Sequence, residues 1–462
     1  MDVLTVETST GPVVGTLHPK NAHVRRFEGI PYAAPPVGEL FLKWPQPHKP
    51  WSEPLVCTGP APTAQRRHYH PDSLWKDPIV EGESILNLTV TAPVDGEDLP
   101  VLVWIHGGGF KSGSANSPIT DPVRFAAEGV VVFSIAYRLG VEGFAHLPGT
   151  DPNRGLVDQQ AALKWIQANA AAFGGSSQRV TIAGQSAGGG SVLAHLVAPA
   201  SAGLFRRAIS MSGVLPALDA SVAGERAELF LHQLSARGVS DFTAMTRQAV
   251  AAELETENLV FQHSPDPVEF VRGRARREPL SDLPFMPFQE PQVLPLGVEE
   301  GVARGLGDEV DLLMTHTSEE FTDICLPFAH WLDNYAAEDL FQQAAVPWRE
   351  RYRRAAQAGT STSLIVGMML DDVFFPDLVA ELSSYRAQRG VRTYSHVCDW
   401  CPAREGNGDV PAAQRYARHC MDIPFVFDTV HTAQARLLVG ENPPAKLVEE
   451  NHQLWLDFVR RG

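Results

Sequence analysis

Short runs of consecutive apolar residues punctuate the first half of the chain. They are PVLVWIH (100–106), VVVFSIAYR (130–138), RVTIAGQS (179–186) and RRAISMSG (206–213). Runs of this length with little polar alternation predict strands buried on both faces. Between the second and third, Leu156, Leu163, Ile166, Ala170 and Phe173 recur near the helical period, and Gly174 and Gly175 supply a stop. GGGSVLAHLVA, after the third run, predicts another helix. VDLLMTHTSE (310–319) and VRTYSHVCDW (391–400) predict late strands, and KLVEENHQLWLDFVR (446–460) an amphipathic helix. Strands alternating with helices predict an α/β fold, its mostly parallel sheet covered on both faces.

Two stretches break the alternation. Residues 217–300 pass from charged helical segments into a Pro-rich tract, and 325–390 read as helical and aromatic-rich, as a cap over a site would. The first 50 residues carry turn signals at Gly29, Pro31, Pro35, Pro36 and Gly38. No repeat, low-complexity tract or flexible linker divides the chain. The expectation is one catalytic domain over 1–462, with the two stretches as cap insertions.

Composition narrows the classes of function. In 462 residues, 54 acidic against 38 basic side chains give a net charge of −16. That balance argues against nucleic acid or an anionic membrane as partner; the main basic patch, Arg272 to Arg277, is short. The opening MDVLTVETSTGPVVG has no basic-then-apolar leader, and no run of about 18 apolar residues suits a membrane span. The cysteines are Cys57, Cys325, Cys398, Cys401 and Cys420. An odd, sparse set predicts a reduced, cytoplasmic setting.

Gly184-Gln185-Ser186-Ala187-Gly188 is G-x-S-x-G, between a predicted strand and a predicted helix. A sharp turn there needs small flanking residues and thrusts the serine hydroxyl clear of the sheet. The alternative is an ordinary glycine-rich turn. A serine hydroxyl is a weak nucleophile near neutral pH and needs a base and an anion trap. His106-Gly107-Gly108-Gly109-Phe110 follows the first apolar run, and its glycines leave backbone N–H groups free to face an oxyanion. The amide of Ala187 adds a donor. His106 reads as part of that loop rather than as the base.

These motifs stand in the order found in type B carboxylesterases, and the chain resembles that family over nearly its whole length. FEGIPYAAPPVGEL (27–40), HGGGF (106–110), YRLGVEGF (137–144), N-x-G-L-x-D-Q-Q-x-A-L-x-W-I (153–166) and FGGSSQRVTIAGQSAGGGSV (173–192) carry the resemblance. It implies an α/β-hydrolase fold with Ser186 as nucleophile and Gly107, Gly108, Gly109 and Ala187 as oxyanion donors. It implies Glu320 as the acid, from THTSEEF (315–321), with Glu319 and Asp323 as rivals. It implies His419 as the base, from HCMDIPFVF (419–427), and Ser212 close to the acid. Phe110, Phe144, Phe321 and Phe328 are candidate pocket residues.

Departures from the family pattern bear on substrate. Phe321 and Cys420 stand where the family has glycine, so Phe321 should intrude near the acid and Cys420 should narrow the site or constrain the loop. Ile85 replaces a cysteine that secreted members pair. The chain is also shorter than many relatives, with the difference placed between about 250 and 300. Cys398 and Cys401 form a C-x-x-C that ends a strand, with only His396 close in sequence, and read as incidental thiols. The resemblance implies a serine hydrolase for esters of small, fairly apolar molecules, acting as monomer or homodimer without metal or cofactor. Ester, carbamate and amide substrates stay open. So do a tailoring acyltransferase or cyclase using the same residues, and a non-catalytic binding protein.

Overall fold

In the computed structural model the described residues are 3–64, 76–215, 218–262, 283–342, 346–405, 410–411 and 414–461. The basic stretch Arg272 to Arg277 and part of the Pro-rich tract lie outside them.

The strands are β1 (Val3–Glu7), β2 (Pro12–His18), β3 (Asn21–Pro31), β4 (Leu55–Val56), β5 (Asn87–Pro93), β6 (Leu99–Ile105), β7 (Val131–Ile135), β8 (Gly175–Gln185), β9 (Arg207–Met211), β10 (Asp311–Thr317) and β11 (Thr393–Cys398). They form one sheet in the order β1-β2-β3-β5-β7-β6-β8-β9-β10-β11, with β4 beside β2. From β7 to β11 every pairing is parallel. From β1 to β7 the pairings along the path are antiparallel. The fold is that of an α/β hydrolase, as the family resemblance implied; the apolar runs implied its parallel part.

The six strand segments read from sequence all appear. The antiparallel edge does not follow from that reading. The opening residues form three strands, which the density of Gly and Pro there concealed. Their strand signal is short-range alternation, as in PVVGTLH with Val13, Gly15 and His18 directed inward, a weaker signal than the central runs.

The helix Arg154–Asn169, here α1, is extended by a short 3-10 turn and ended by Gly174 at φ 84°. Helix α2 (Ala187–Val197) is buried along its whole length against β6, β8 and β9 of the sheet. Among the remaining helices, Ala220–Ala236 and Arg247–Gln262 lie in the first cap stretch. In the second, α3 (Thr362–Phe374) and Pro376–Ala387 follow shorter turns. The last helix, Ala445–Arg460, buries Trp455, Leu456, Phe458 and Val459. No helix of the described residues is long and apolar enough to cross a membrane.

Candidate active site

Parallel pairing places the C-terminal ends of β6, β8, β9 and β10 side by side. Ile105 of β6 is in register with Gly184 of β8, and Gln185 with Met211 of β9. The segments that leave these ends therefore share one edge of the sheet, where sites in parallel sheets form. From β6 comes the loop His106–Gly109, from β8 Ser186, from β9 Ser212, and from β10 the turn containing Glu320.

Ser186 sits between β8 and α2 at φ 57° and ψ −120°. A side chain seldom adopts that backbone, and holding it costs on the order of 1–3 kcal/mol. The cost is borne by close packing around the turn. A Cβ on Gly188 would come within 2.8 Å of the His106 carbonyl and still closer to that of Ile105, so only glycine lets α2 approach β6. The Ser186 amide donates to Met211 at 2.9 Å, and its carbonyl accepts from Gly190 at 2.8 Å.

The loop after β6 turns on Gly108 (φ 110°), Gly109 (φ 62°) and Phe110 (φ 58°). The Gly108 carbonyl is taken by the Lys111 and Ser112 amides and by the Ser112 hydroxyl. The amides of Gly107, Gly108 and Gly109 donate to no group among the described residues. Ala187 opens α2, so its N–H has no partner within the helix. Gly107, Gly108 and Gly109 border the same cavity as Ser186. A Cβ on Gly107 would lie 2.6 Å from the Gln185 carbonyl and 3.2 Å from Ser186 Cβ. His106 is buried and stacked on Tyr137 at 4.5 Å, and burial lowers its pKa to about 4. It is a neutral part of the loop.

Glu320 is 2 % exposed. Its Oε2 lies 2.5 Å from His419 Nδ1. Its Oε1 accepts from Ser212 Oγ at 2.6 Å and from the Thr317 amide at 2.7 Å. Burial favours the neutral acid, yet His419 and those two donors hold its pKa below the usual glutamate value. Glu319, one residue earlier, accepts instead from the Ala417 amide at 2.9 Å, and Asp323 pairs with Arg418 at 3.5 Å. The His419 amide donates to the Glu320 carbonyl at 3.1 Å, fixing the two segments together. Burial works against a charged His419, but the Cys420 sulfur and Glu320 outweigh it and raise its pKa well above the ordinary imidazole value.

A cavity of about 380 Å³ opens here, lined among others by Gly107, Gly108, Gly109, Gln185, Ser186, His419 and Cys420. The aromatic candidates divide. Phe110 and Phe144 do not face the cavity: they are 0 % and 1 % exposed and meet edge to face at 5.0 Å within the core. At Phe110, Gly140 N–H caps the carbonyl at 2.7 Å, and the left-handed backbone commits the ring to the core. Phe321 lies beside the base, its ring 5.3 Å from the His419 imidazole. Phe328 packs against the cap cluster of Cys325, Leu332 and Phe374.

Cys398 and Cys401 are buried and not joined in a disulfide, and the Cys401 thiol donates to the Arg415 carbonyl at 3.3 Å. Three further residues at the site were not singled out from sequence. Gln185 contacts His419 directly, at 3.1 Å. Asp422 is buried close to Glu320 and His419, and burial with the Glu320 charge raises its pKa to about 7. Asp371 accepts from the Phe321 amide and from Thr322 Oγ1. Gln185 and Asp422 stand inside motifs already recognised and were open to inspection; Asp371 carries no local signal.

Comparison with known proteins bears on the family and the fold. A model of the carboxylesterase family matches residues 2–462. The para-nitrobenzyl esterase of Bacillus subtilis is 31% identical over 99% of this chain and 90% of that protein. The pyrethroid hydrolase Ces2a of Mus musculus is 36% identical over 98% of this chain and 83% of its own length. A carboxylesterase from Geobacillus stearothermophilus superposes with a TM-score of 0.78 at 27% identity, covering 99% of this chain and 91% of that one.

Proposed function

The chain belongs to the carboxylesterase family and is a carboxylic ester hydrolase; on that footing we propose that it cleaves esters of small, largely apolar molecules through an acyl-enzyme on Ser186. The observation that carries this reading is the buried Glu320–His419 pair, 2.5 Å apart, at a cavity also bordered by Ser186 and the glycine loop. The catalytic domain is the whole chain, 1–462. The five cysteines, none of them in a disulfide, support a cytoplasmic setting.

In this mechanism His419 takes the Ser186 proton at Nε2 as Oγ attacks the ester carbonyl. Glu320 keeps the other imidazole proton on Nδ1 and stabilises the charged ring. Amides of the 107–109 loop and Ala187 receive the oxyanion. Protonated His419 then gives its proton to the leaving alcohol. Water, deprotonated by the same nitrogen, hydrolyses the acyl-enzyme. Ser186 Oγ has no hydrogen bond to His419 among the described residues; such contacts commonly tighten only when substrate binds.

The test compares hydrolysis of p-nitrophenyl acetate, butyrate and octanoate by wild type and Ser186→Ala, with intact mass after a fluorophosphonate probe. One adduct on Ser186 together with serine-dependent turnover is the expected result. An adduct without turnover would favour transfer to an acceptor other than water. Neither, from folded protein, would overturn the reading.

A further inference from the structure

The His419 nitrogen that must receive the Ser186 proton is already engaged. Gln185 Nε2 lies 3.1 Å from His419 Nε2, and the same amide nitrogen donates to Cys420 Sγ at 3.1 Å. With its Nδ1 proton directed at Glu320, His419 carries its lone pair on Nε2, so the amide is the donor. The other end of the amide lies beside the glycine loop: Oε1 would be 2.8 Å from a Cβ on Gly107. Gln185 is 3 % exposed and ends β8, directly before Ser186. Gln185 and Ser186 therefore compete for one lone pair.

We propose that Gln185 is a positioning residue, a latch that favours the neutral Nδ1–H form of His419 against the pull of Glu320 and Cys420 and occupies Nε2 until substrate draws Ser186 onto it. This rests on His419 being the base. A hydrogen bond donated to neutral imidazole favours the neutral ring, which is the form a base requires. When the Ser186 proton reaches Nε2, the ring becomes a donor there and the amide N–H must leave. The N–H···N bond breaks and the N–H···S bond to Cys420 remains. Cys420 gives the released amide a place to stay. It presents its sulfur from a φ of 72°, a conformation that side chains rarely adopt.

The pH dependence follows from the groups facing His419. Glu320 and Cys420 favour the charged ring, Asp422 lies close by, and Phe321 and Phe375 cover it with apolar surface. Gln185 opposes the first two without carrying charge.

The experiment is the second-order rate of fluorophosphonate labelling at Ser186, followed from pH 5 to 10, in wild type, Gln185→Met and Gln185→Glu. In Gln185→Met the donor is gone and the shape kept. The midpoint of the acid limb should move up by about one pH unit, and the high-pH plateau should rise about three- to tenfold. In Gln185→Glu a carboxylate beside the ring should move the midpoint up by about one to three pH units. A merely structural glutamine would lower the plateau of Gln185→Met at an unmoved midpoint, and that result would overturn the latch; Gln185→Glu shows that the side chain at 185 reports on the ring. Should Gln185→Met not fold, Gln185→Leu, which also lacks the donor and carries no charge, decides by the same midpoint. Wild type that never labels at Ser186 would instead overturn the functional reading on which the latch depends.

Discussion

The Thr322 hydroxyl donates to the Asp371 carboxylate at 2.5 Å, which ties the turn carrying Glu320 to the cap helix α3. The Phe321 amide donates to the other carboxylate oxygen. One turn earlier on α3, Gly367 lies so close that a Cβ would meet the Phe321 carbonyl at 2.9 Å and the Thr322 carbonyl closer still. Helix α3 thus sets where the Glu320 turn sits.

Removing that anchor leaves a buried amide and a buried hydroxyl without an acceptor. Each costs about 1–3 kcal/mol. Asp371→Ala should lower the melting temperature measurably and reduce kcat/KM for p-nitrophenyl butyrate by at least about tenfold. Asp371→Asn, which keeps one acceptor, should fall between. Equal activity in Asp371→Ala and wild type would show that the turn holds itself.

Glu319 and Glu320 separate by partner, and their amide variants should separate by rate. Glu320→Gln loses the acceptor that fixes the Nδ1 proton of His419, so kcat should drop by about 10⁴-fold, the scale seen when a buried triad acid is replaced by its amide. Glu319→Gln, which keeps an oxygen for the Ala417 amide, should stay within about threefold of wild type. The reverse ranking in a p-nitrophenyl ester assay would transfer the acid to Glu319.

The Ser212 hydroxyl offers a finer probe of the same carboxylate. Ser212→Ala removes a 2.6 Å bond to Glu320 Oε1 and leaves the Thr317 amide in place. A hydrogen bond to a charged group contributes about 1.5–3 kcal/mol. The expected result is a loss of about 10- to 100-fold in kcat/KM with KM nearly unchanged, since the lost interaction steadies the base rather than the substrate. A change confined to KM would place Ser212 in contact with substrate instead.

The raised pKa of His419 has consequences for pH. A base must be neutral, so kcat/KM should rise through a midpoint above 6.5 and keep climbing into the alkaline range. Cys420→Ala removes the larger of the two influences that raise it and should move the midpoint down. Stability runs the other way. With the folded pKa above the unfolded one, the His419 contribution is fully present below about 6.5 and is lost as pH rises through the folded value. Glu320, with its pKa lowered, contributes above its unfolded value and loses that contribution as pH falls through the folded one. A kcat/KM profile already flat at pH 6 would contradict the raised imidazole.

Much of this was legible in the chain because its chemistry is local. The strand ends at Ile105 and Gln185 follow from apolar runs, and the turn at Ser186 from the glycines around it. The partners of Glu320 were less accessible. Glu319 and Glu320 are adjacent, and only the paths of Ala417 and His419 past β10 decide which carboxylate meets the imidazole. Phe110 and Phe144 were open to either reading, since an aromatic beside a glycine loop serves core or pocket equally until the backbone angle at Phe110 is known. Asp371 lies 51 residues beyond Glu320 in a helix that sequence marks only as cap. The latch on His419 needs Gln185 and Cys420 together, and they are brought together by the fold alone.

Phe321 is where sequence and geometry meet, and it offers a test of substrate size. It stands in place of the family's glycine, its ring 5.3 Å from His419 and 5.3 Å from Phe375. Two effects follow from shortening it. The imidazole loses an apolar wall that limits its motion, which should slow turnover of the smallest ester by a few-fold. Space opens beside the base, which should favour longer acyl chains, since each buried methylene is worth about 0.8 kcal/mol. In Phe321→Ala the kcat/KM ratio of octanoate to acetate should therefore rise by about tenfold, while the loss of a half-buried ring lowers stability by up to about 3 kcal/mol. Alanine is preferred to glycine here because it leaves the backbone of the Glu320 turn unchanged. An unaltered octanoate-to-acetate ratio, in protein that still labels at Ser186, would mean that Phe321 supports the cap and has no part in selecting substrate.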